Sequence, residues 1–447
     1  MKKKIIAGLL AGIMLAGCGP TEISGGGTWG SGAEEQQGSR SGSGDTIDVT
    51  GTAELINVSY SQSDLKEEWI GALSGSSMNL FTNVLDNQGE GQNVCISPTS
   101  MMMAFGMTEN GANGETLSQM ESIINGGLSL EQMNPIMYAM ADHFESAEDV
   151  EWNVANSIWF RNDGKLEVLP EFASAAKSWY DADIWMSAFD EGTVKDINKW
   201  VERETRGMID EIIQSIDEQN RMILINAMAF EGEWMNEYEK SDILENCKFT
   251  NYDGTTSDVT MLHSLEYSYI ELGDGVGFIR PYKGGEYSFV GILPDEGISV
   301  NQYIRDLAAG GEDFSEAIRN PQHYSGDIIV TMPEFKNEFD IKMNDVLIDM
   351  GMTVPFSYQE ADFNGVMRST SDEVYDIYIS SVIHKTFIEV DREGTRAAAV
   401  TAITLDACNA IAVYDPPMYI NLDRPFVYAI VDNETGLPVF LGCVNSL

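Results

Sequence analysis

The chain has 447 residues, of which 71 are acidic and 26 are basic, and its formal net charge is −45. Because 43% of the residues are hydrophobic, they suffice for a large core, which excludes a disordered chain. The acidity excludes nucleic acid as a partner, since its phosphates would be repelled.

The first residues have the pattern of an exported lipoprotein. Lysines at positions 2–4 precede an apolar run that ends in LAGC at Cys18. This combination indicates a signal peptide over residues 1–17, with cleavage before Cys18 and acylation of its thiol. The apolar run is too short for an ordinary transmembrane helix. A plain secretory peptide in which Cys18 occurs by chance is the alternative.

Residues 18–52 are rich in Gly and Ser, with stretches such as SGGGTWGSG and GSRSGSGD. Such a composition behaves as a flexible tether. We therefore expect a folded domain over residues 53–447 that is displayed outside the cytoplasm. Its only membrane contact would be the lipid on Cys18, which anchors it to a bacterial membrane or cell surface.

The middle of the chain carries both helix and strand patterns. Apolar residues at helical spacing predict a helix over residues 193–216, with Thr193 as its cap. Helical patterns dominate early and strand patterns dominate late, which indicates an α+β fold with large sheets. Buried strands are predicted over residues 222–230, 287–293, 328–332, 426–431 and 439–444.

The motifs of turnover enzymes are missing from the sequence. None of the four histidines begins an HExxH motif, and no GxSxG turn or Walker loop occurs. The cysteines form no CxxC pair and have no metal-binding spacing. We therefore predict a protein that is not an enzyme and that holds no metal and no cofactor.

The segment that follows EVDREG at residues 389–394 is unusual for a loop. Residues 395–413 contain small and β-branched side chains but no Pro and no Gly, the residues that loops normally carry. The two charged residues, Arg396 and Asp406, share one parity, so the other parity is uncharged. Such alternation suits a strand with one buried face. We interpret the segment as exposed in one state and as a sheet strand in another.

Several motifs resemble those of the serpins, in family order, over about residues 60 to 447. The segment EVDREGTRAAAVTA at residues 389–402 is similar to the hinge of inhibitory serpins. The others are NVCISPTSMMMAFGMTENGANGE (93–115), LINAMAFEGEW (224–234), MPEFK (332–336), SVIHK (381–385) and DRPF (423–426). The resemblance implies the serpin fold: a large mixed β-sheet, additional sheets, a helical N-terminal half and an exposed reactive centre loop at about residues 392–420.

The function that the resemblance implies is suicide-substrate inhibition of a serine protease. The protease would attack the loop and form an acyl-enzyme, and the cut loop would insert into the main sheet. We expect a monomer. The alternative is a non-inhibitory serpin that acts as a surface binding protein.

By the same resemblance, two groups of residues in the loop have roles: those at the bond that the protease cuts, and those of the hinge. Counting by family length places the scissile bond at Cys408-Asn409, with Ala407, Ala410, Ile411 and Tyr414 as alternatives. Small and apolar surroundings suit the specificity pocket of an elastase-like protease, while Tyr414 keeps a chymotrypsin-like target open. At Arg392 the sequence departs from the glutamate that the family prefers. The hinge residues are Glu393, Gly394, Thr395, Ala397, Ala398, Ala399 and Thr401.

Four polar residues lie inside apolar runs and need hydrogen-bond partners if they are buried. They are Ser97, Ser100, Asn226 and His384. In serpins the matching positions form the shutter, a hydrogen-bonded cluster beneath the point where the main sheet opens. The alternative is four core residues that are satisfied separately.

Overall fold

The structure, a computed structural model, describes residues 46–311, 313–370, 377–395 and 415–447. Within these ranges nine α-helices occur, numbered in chain order. They are α1 (Glu67–Gln88), α2 (Pro98–Glu109), α3 (Gly114–Ile123), α4 (Leu130–Ser146), α5 (Pro170–Tyr180), α6 (Glu191–Glu204), α7 (Val300–Gly310), α8 (Phe314–Arg319) and α9 (Asn344–Asp349). Three short 3-10 helices lie at Thr50–Thr52, Gln62–Asp64 and Val354–Phe356.

The same ranges contain nineteen β-strands. They are β1 (Ile47–Asp48), β2 (Val94–Ile96), β3 (Val150–Arg161), β4 (Leu166–Val168), β5 (Asp183–Ser187), β6 (Met222–Glu233), β7 (Ile243–Thr250), β8 (Thr256–Glu266), β9 (Tyr269–Glu271), β10 (Gly275–Pro281), β11 (Tyr287–Pro294), β12 (Ile328–Pro333), β13 (Phe335–Lys342), β14 (Met367–Ser369), β15 (Ile379–Val390), β16 (Gly394–Thr395), β17 (Met418–Asn421), β18 (Phe426–Asp432) and β19 (Pro438–Val444).

The strands form three large sheets, which we call A, B and C. Sheet A has seven strands in the order β1-β5-β3-β6-β16-β15-β13, and it mixes parallel and antiparallel pairs. Sheet B has the order β2-β19-β18-β11-β10-β9, and sheet C has the order β17-β12-β8-β7. A further pair joins β14 to β4. The predicted α+β architecture with a large mixed sheet is confirmed.

Sheet A is covered on both faces. Alternate residues of β6 point to opposite faces: Leu224 and Met228 belong to the main core, whereas Ile223 and Ile225 belong to a second cluster. The second cluster also contains Ile197 of α6, so this helix packs across one face of the sheet. On the other face, Trp152 of β3 stacks on Phe440 of β19, with ring centroids 6.3 Å apart.

The helix predicted over residues 193–216 is shorter than the apolar pattern indicated. Asp190, rather than Thr193, caps it, because its carboxylate accepts the backbone N–H groups of Gly192 and Thr193. It ends at Glu204, and Arg206 and Gly207 then adopt positive φ angles of 51° and 78°. The later apolar residues still face the sheet in the second cluster, which explains why their spacing continued.

The N-terminal boundary of the folded part also differs from the prediction. Composition predicts that residues 46–52 belong to the tether, yet Ile47 and Asp48 pair antiparallel with Met186 and Trp185 at the edge of sheet A. The backbone N–H of Val49 then donates to the Ile184 carbonyl at 2.9 Å. Unpaired backbone groups of the edge strand thus bind this segment to the domain. Among the described residues, none of the helices has both the length and the apolarity that crossing a bilayer requires.

The seam of sheet A as the candidate functional site

The centre of sheet A is the boundary between β6 and β15, which we call the seam. The two strands pair directly and in parallel from Met222 and Ile379 up to Ala229 and Phe387. Beyond these residues, at the end that we call the upper end, the strands separate and β16 lies between them. It is antiparallel to both neighbours: Thr395 pairs with Gly232 of β6 and with Val390 of β15.

Thr395 is fully buried at the upper end of the seam. Its hydroxyl lies 2.6 Å from the phenol oxygen of Tyr282. Burial raises the pKa of Tyr282, so the phenol is neutral and able to donate. Tyr282 stacks on Trp234 with a centroid distance of 4.8 Å, and the Trp234 indole N–H donates to the Asp391 carbonyl at 2.9 Å. These contacts fix the start of the hinge between two strands.

Gly394 tolerates no side chain in this position. A Cβ atom there would lie 2.1 Å from the carbonyl oxygen of Gly232, which is an impossible contact. The turn before Gly394 is closed by Asp391, whose Oδ1 accepts the backbone N–H groups of Glu393 and Gly394 at 2.8 and 3.1 Å. Glu393 is exposed, and its carbonyl accepts the N–H of Trp234 at 3.2 Å.

Arg392 has a partner despite its departure from the family pattern. Its guanidinium donates to both carboxylate oxygens of Glu334, at 2.8 and 3.0 Å. These hydrogen bonds raise the pKa of Arg392 above its ordinary value. The base of the loop is therefore joined to the residue that precedes β13 by a bidentate ion pair.

The four residues of the predicted shutter lie together below the upper end. All four are fully buried. The backbone N–H of Ser97 donates to Nε2 of His384 at 3.0 Å, and Nδ1 of His384 contacts Oδ1 of Asn226. Because Nε2 accepts the hydrogen bond from Ser97, Nδ1 carries the ring hydrogen and donates it to Asn226 Oδ1. Nδ2 of Asn226 in turn donates to the Ser100 carbonyl at 2.8 Å.

This cluster is uncharged and spans three chain segments. Burial lowers the pKa of His384 to about 3, so the imidazole is neutral at physiological pH. His384 of β15 lies opposite Asn226 of β6 in the register, so their hydrogen bond crosses the seam. Ser97 caps α2 by accepting the N–H of Ser100 at 3.2 Å, which connects the helix terminus to the sheet.

Sequence reasoning missed several members of the site. Asn156 of β3 accepts a hydrogen bond from Asn226 at 2.5 Å. It is a polar residue in an apolar run, so the criterion that found the other four also identifies it. Glu334 and Trp234 lie inside the motifs MPEFK and LINAMAFEGEW, but their pairing with the hinge is not visible in those motifs.

The remaining predicted site residues lie outside the described residues. They are Ala397, Ala398, Ala399, Thr401, Ala407, Cys408, Asn409, Ala410, Ile411 and Tyr414 of the loop, and Cys18 of the leader. Their roles stay predictions.

Comparison with known proteins identifies the family. The serpin model, described as serine protease inhibitor, matches residues 72–447. The chain belongs to the serpin family. Serpins are in general inhibitors of proteases and not catalysts, which agrees with the prediction that this chain is not an enzyme.

Two relatives illustrate the similarity, one of them in two conformational states. The leukocyte elastase inhibitor of Homo sapiens is 28% identical, over 83% of this serpin and 97% of the relative. The native state of tengpin, a thermophilic serpin, is 39% identical with a TM-score of 0.81, covering 90% of this chain and 100% of tengpin. The latent state of tengpin, also 39% identical, has a TM-score of 0.73, covering 86% and 99%.

Similarity to the native state agrees with the geometry of the seam. Direct pairing of β6 with β15 up to Ala229 and Phe387 leaves no place for a third strand there. In this serpin, the part of sheet A below the upper end is therefore closed.

Proposed function

We propose that this serpin is a suicide-substrate inhibitor of a serine protease. The observation that carries the proposal is the position of Gly394 and Thr395, which already form two residues of a strand between β6 and β15. Extension of β16 along the seam would add a full strand to sheet A. Residues 397–399 are all Ala, and small side chains suit the close approach of a new strand to both neighbours.

The energy of insertion is sufficient for trapping a protease. A strand of about a dozen residues that gains roughly 1 kcal/mol per hydrogen bond is stabilised by about 10 kcal/mol. This is comparable to the total stability of a domain, about 5–15 kcal/mol. Cleavage of the loop releases its end for insertion, and an acyl-enzyme formed at that end is carried along with it.

For the target, we propose a protease with a small hydrophobic specificity pocket, as in elastase. Cys408 would enter such a pocket if the scissile bond is Cys408-Asn409, and the alternative cleavage positions Ala407, Ala410 and Ile411 have side chains that also fit it. The similarity to the leukocyte elastase inhibitor supports this class. Tyr414 is the position at which a chymotrypsin-like enzyme would cut instead.

Incubation of the serpin with pancreatic elastase tests the proposal. We expect an SDS-resistant complex on a denaturing gel and a released C-terminal peptide whose mass identifies the scissile bond. The cleaved serpin should melt at a higher temperature than the intact protein. A non-inhibitory serpin would instead be cleaved without a covalent complex, or not cleaved at all.

We propose that the lipid anchor lies at the end of the domain opposite to the upper end of the seam. Strand β6 runs toward the upper end of the seam. Because β3 is antiparallel to β6 and β5 is parallel to β3, both strands terminate at the opposite end of sheet A, which we call the lower end. Ile47 pairs with Met186 near the end of β5. A chain lipidated at Cys18 would therefore enter the domain at its lower end, with the upper end of the seam directed away from the membrane.

Insertion would bring the trapped protease toward the tether. Since β16 is antiparallel to β6, its continuation runs down the seam to the lower end. If the residues between Cys18 and the domain form the tether that their Gly/Ser-rich composition predicts, about 28 residues would give a typical span of roughly 30 Å and a maximum near 95 Å. That maximum leaves room for a protease beside the membrane.

Deletion of residues 22–45 tests this arrangement. For the lipidated protein on liposomes, we expect that the deletion raises the number of serpin molecules consumed per protease inhibited. The same deletion in a Cys18→Ser protein in solution should have no such effect. An equal effect in both settings would show that the tether acts on the domain itself.

A further inference from the structure

Two pairs of like charges lie on neighbouring strands at the two ends of sheet A. At the upper end, Glu151 of β3 is directly opposite Glu231 of β6. At the lower end, Arg161 is the last residue of β3, and its backbone N–H donates to the carbonyl of Arg221, the residue before β6, at 3.0 Å. The register of β3 and β6 therefore makes these two arginines opposite neighbours as well. Like charges in such positions destabilise a sheet. We call the two pairs the acidic pair and the basic pair.

Both pairs belong to the same face of sheet A. Alternate residues of a strand share a face, and Glu231 and Arg221 have the parity of Ile225, which packs in the second cluster with α6. Residues that are opposite one another in a sheet also share a face, so Glu151 and Arg161 point the same way. The face that α6 covers therefore carries negative charge at its upper end and positive charge at its lower end.

The residues that the structure describes give these pairs little opposite charge. Glu151 forms an ion pair with Arg206, whereas Glu231 has no ion pair among the described residues. The guanidinium groups of Arg161 and Arg221 donate to backbone carbonyls in the turns after β5 and before β6. Burial lowers the pKa of Arg161, and the charge of Arg221 lowers it further. The two guanidinium groups are thus close enough to repel each other.

Continuation of β16 would bring a cation to the acidic pair. Thr395 is opposite the residue that follows Glu231 on β6 and opposite the residue that follows Glu389 on β15. The next residue in this antiparallel register, Arg396, would therefore lie between these two carboxylates. Adjacent strands are about 4.8 Å apart, so one guanidinium reaches both. The present partner of Glu389 is Lys336, at the longer distance of 3.7 Å.

The second charge of the loop would reach the basic pair in the same register. Asp406 lies ten residues after Arg396, and Arg221 lies ten residues before Glu231. A strand antiparallel to β6 advances by one residue for each residue of β6, so Asp406 would lie opposite Arg221. Residues 397–405 are all uncharged. The inserting segment is thus charged only at the two positions that face the acidic pair and the basic pair.

We propose that the acidic pair and the basic pair determine the register and the depth at which the cleaved loop inserts. This inference rests on the proposed function. Insertion in the register of β16 would give each pair the opposite charge that it lacks in the intact protein. A shift by one residue would turn Arg396 and Asp406 to the other face of the sheet, where an unpaired charge is costly. A shift by two residues would separate both loop charges from their partners. The residues of the two pairs are therefore positioning residues for the inserted strand.

An exchange of charges at the acidic pair tests the proposal with pancreatic elastase. In Arg396→Glu a further carboxylate would enter between Glu231 and Glu389, so insertion slows and more acyl-enzyme is hydrolysed. We expect the number of serpin molecules consumed per protease to rise about threefold. The rate constant for attack on the loop should not change, because Arg396 is 12 residues away from Cys408. The double variant Arg396→Glu/Glu231→Lys should return the number toward the parental value.

Glu231→Gln provides a second readout, which needs the loop to be cut but needs no covalent complex. The variant removes a like charge opposite Glu151 in the intact protein and a partner of Arg396 in the inserted form. Thermal unfolding at low ionic strength, in urea for the cleaved form, should therefore shift by about 1–2 °C upward for the intact protein and downward for the cleaved one. The matched control is Glu296→Gln in the turn after β11, whose carboxylate is exposed and far from sheet A in the chain. It should move neither transition.

The outcomes separate this inference from the proposed function. If Glu231→Gln shifted the intact and the cleaved protein in the same direction, or if Glu231→Lys failed to compensate Arg396→Glu, the inference would be overturned. The proposed function would then still stand. A parent that forms no covalent complex and gains no stability on cleavage would contradict the proposed function instead.

Discussion

The upper end of the seam and its shutter region hold the same two strands in different ways. At the upper end the strands are separated by Gly394 and Thr395, and the adjoining turn is joined to β13 by the Arg392–Glu334 ion pair near the surface. In the shutter region the strands pair directly, and the bond between His384 and Asn226 is buried and uncharged.

This difference suggests where insertion begins and where it meets resistance. The upper end already accommodates a third strand, so extension of β16 requires no new opening there. On the proposed mechanism, further insertion would have to separate pairs such as His384 and Asn226, which would leave buried polar groups without partners at a cost of about 1–3 kcal/mol each. The shutter would thus determine the barrier to insertion of the loop, and the short strand at the upper end would determine the direction in which the loop inserts.

The largest expected effect comes from Thr395→Arg at the upper end. Thr395 is fully buried and hydrogen-bonded to Tyr282, and a charged guanidinium in this place has no partner. We expect the covalent complex to be lost and the loop to be cleaved as an ordinary substrate, as seen on denaturing gels. Thr395→Ser, which keeps the hydroxyl, is the control and should still form the complex. Persistence of an SDS-resistant complex in the Arg variant would refute this role of the hinge.

The next effect comes from His384→Ala in the shutter. The variant leaves the backbone N–H of Ser97 and the side-chain Oδ1 of Asn226 without their partner, which should lower the free energy of unfolding by about 2–4 kcal/mol. We also expect faster polymerisation on mild heating, because the barrier to strand separation falls. Thermal unfolding and native gels provide the two readouts.

Thr386→Ala is the matched control for the shutter. Thr386 is also buried on β15, and its hydroxyl donates to the Cys95 carbonyl at 2.7 Å, outside the cluster. It should lower stability without faster polymerisation. If His384→Ala left both heat stability and polymerisation unchanged, the shutter interpretation would be wrong.

Acid should weaken the shutter selectively. The folded pKa of His384, about 3, lies below the ordinary value of 6.5. Its contribution to stability is therefore present above pH 6.5 and is lost as the pH falls toward 3, by about 1.4 kcal/mol per pH unit. The stability difference between the parent and His384→Ala, measured by urea unfolding, should shrink by about 2 kcal/mol between pH 6.5 and pH 5.

His143 contributes a pH dependence of the opposite sign, which the comparison of the two proteins removes. Burial alone would lower its pKa, but the hydrogen bond to Asp432 and the charges of Asp432, Glu286 and Glu434 raise it. Its contribution is present below pH 6.5 and is lost as the pH rises through the folded pKa. Because His143 is present in both proteins, it cancels from the difference. A difference that stays constant with pH would mean that His384 is not held neutral.

The fold could be predicted from sequence because its motifs are short contiguous segments that occur in the order and at the spacing found in serpins. The shutter residues were found by a physical criterion, polar side chains in apolar runs, although Asn156 was overlooked. Contacts such as Thr395 with Tyr282, or Arg392 with Glu334, depend on the register of strands far apart in the chain. Sequence periodicity does not reveal that register.

Apolar periodicity also gave a wrong helix boundary, because helix α6 and the non-helical segment after it share one apolar pattern. The residues after Gly207 continue the spacing of α6 because they face the same sheet, although they are not helical. The N-terminal boundary was missed for a related reason. Composition described residues 46–52 as tether, while their backbone pairs with the edge of sheet A.

The smallest expected effect is that of Arg392→Glu, which places two carboxylates together at the upper end. The side chains of Arg392 and Glu334 are 44% and 23% exposed, so the ion pair contributes about 0.5–1 kcal/mol. We expect a small loss of stability and a two- to fivefold faster heat-induced polymerisation, since the hinge is less firmly held.

The double variant Glu334→Arg/Arg392→Glu should restore the parental polymerisation rate with the charges exchanged. The control is Arg368→Glu, which breaks a similar exposed pair with Glu167 at 2.8 Å between β14 and β4, away from the seam. It should lower stability by a similar amount but leave polymerisation unchanged. Equal acceleration by Arg392→Glu and Arg368→Glu would show that polymerisation follows global stability, and the upper end would then have no special control over the seam.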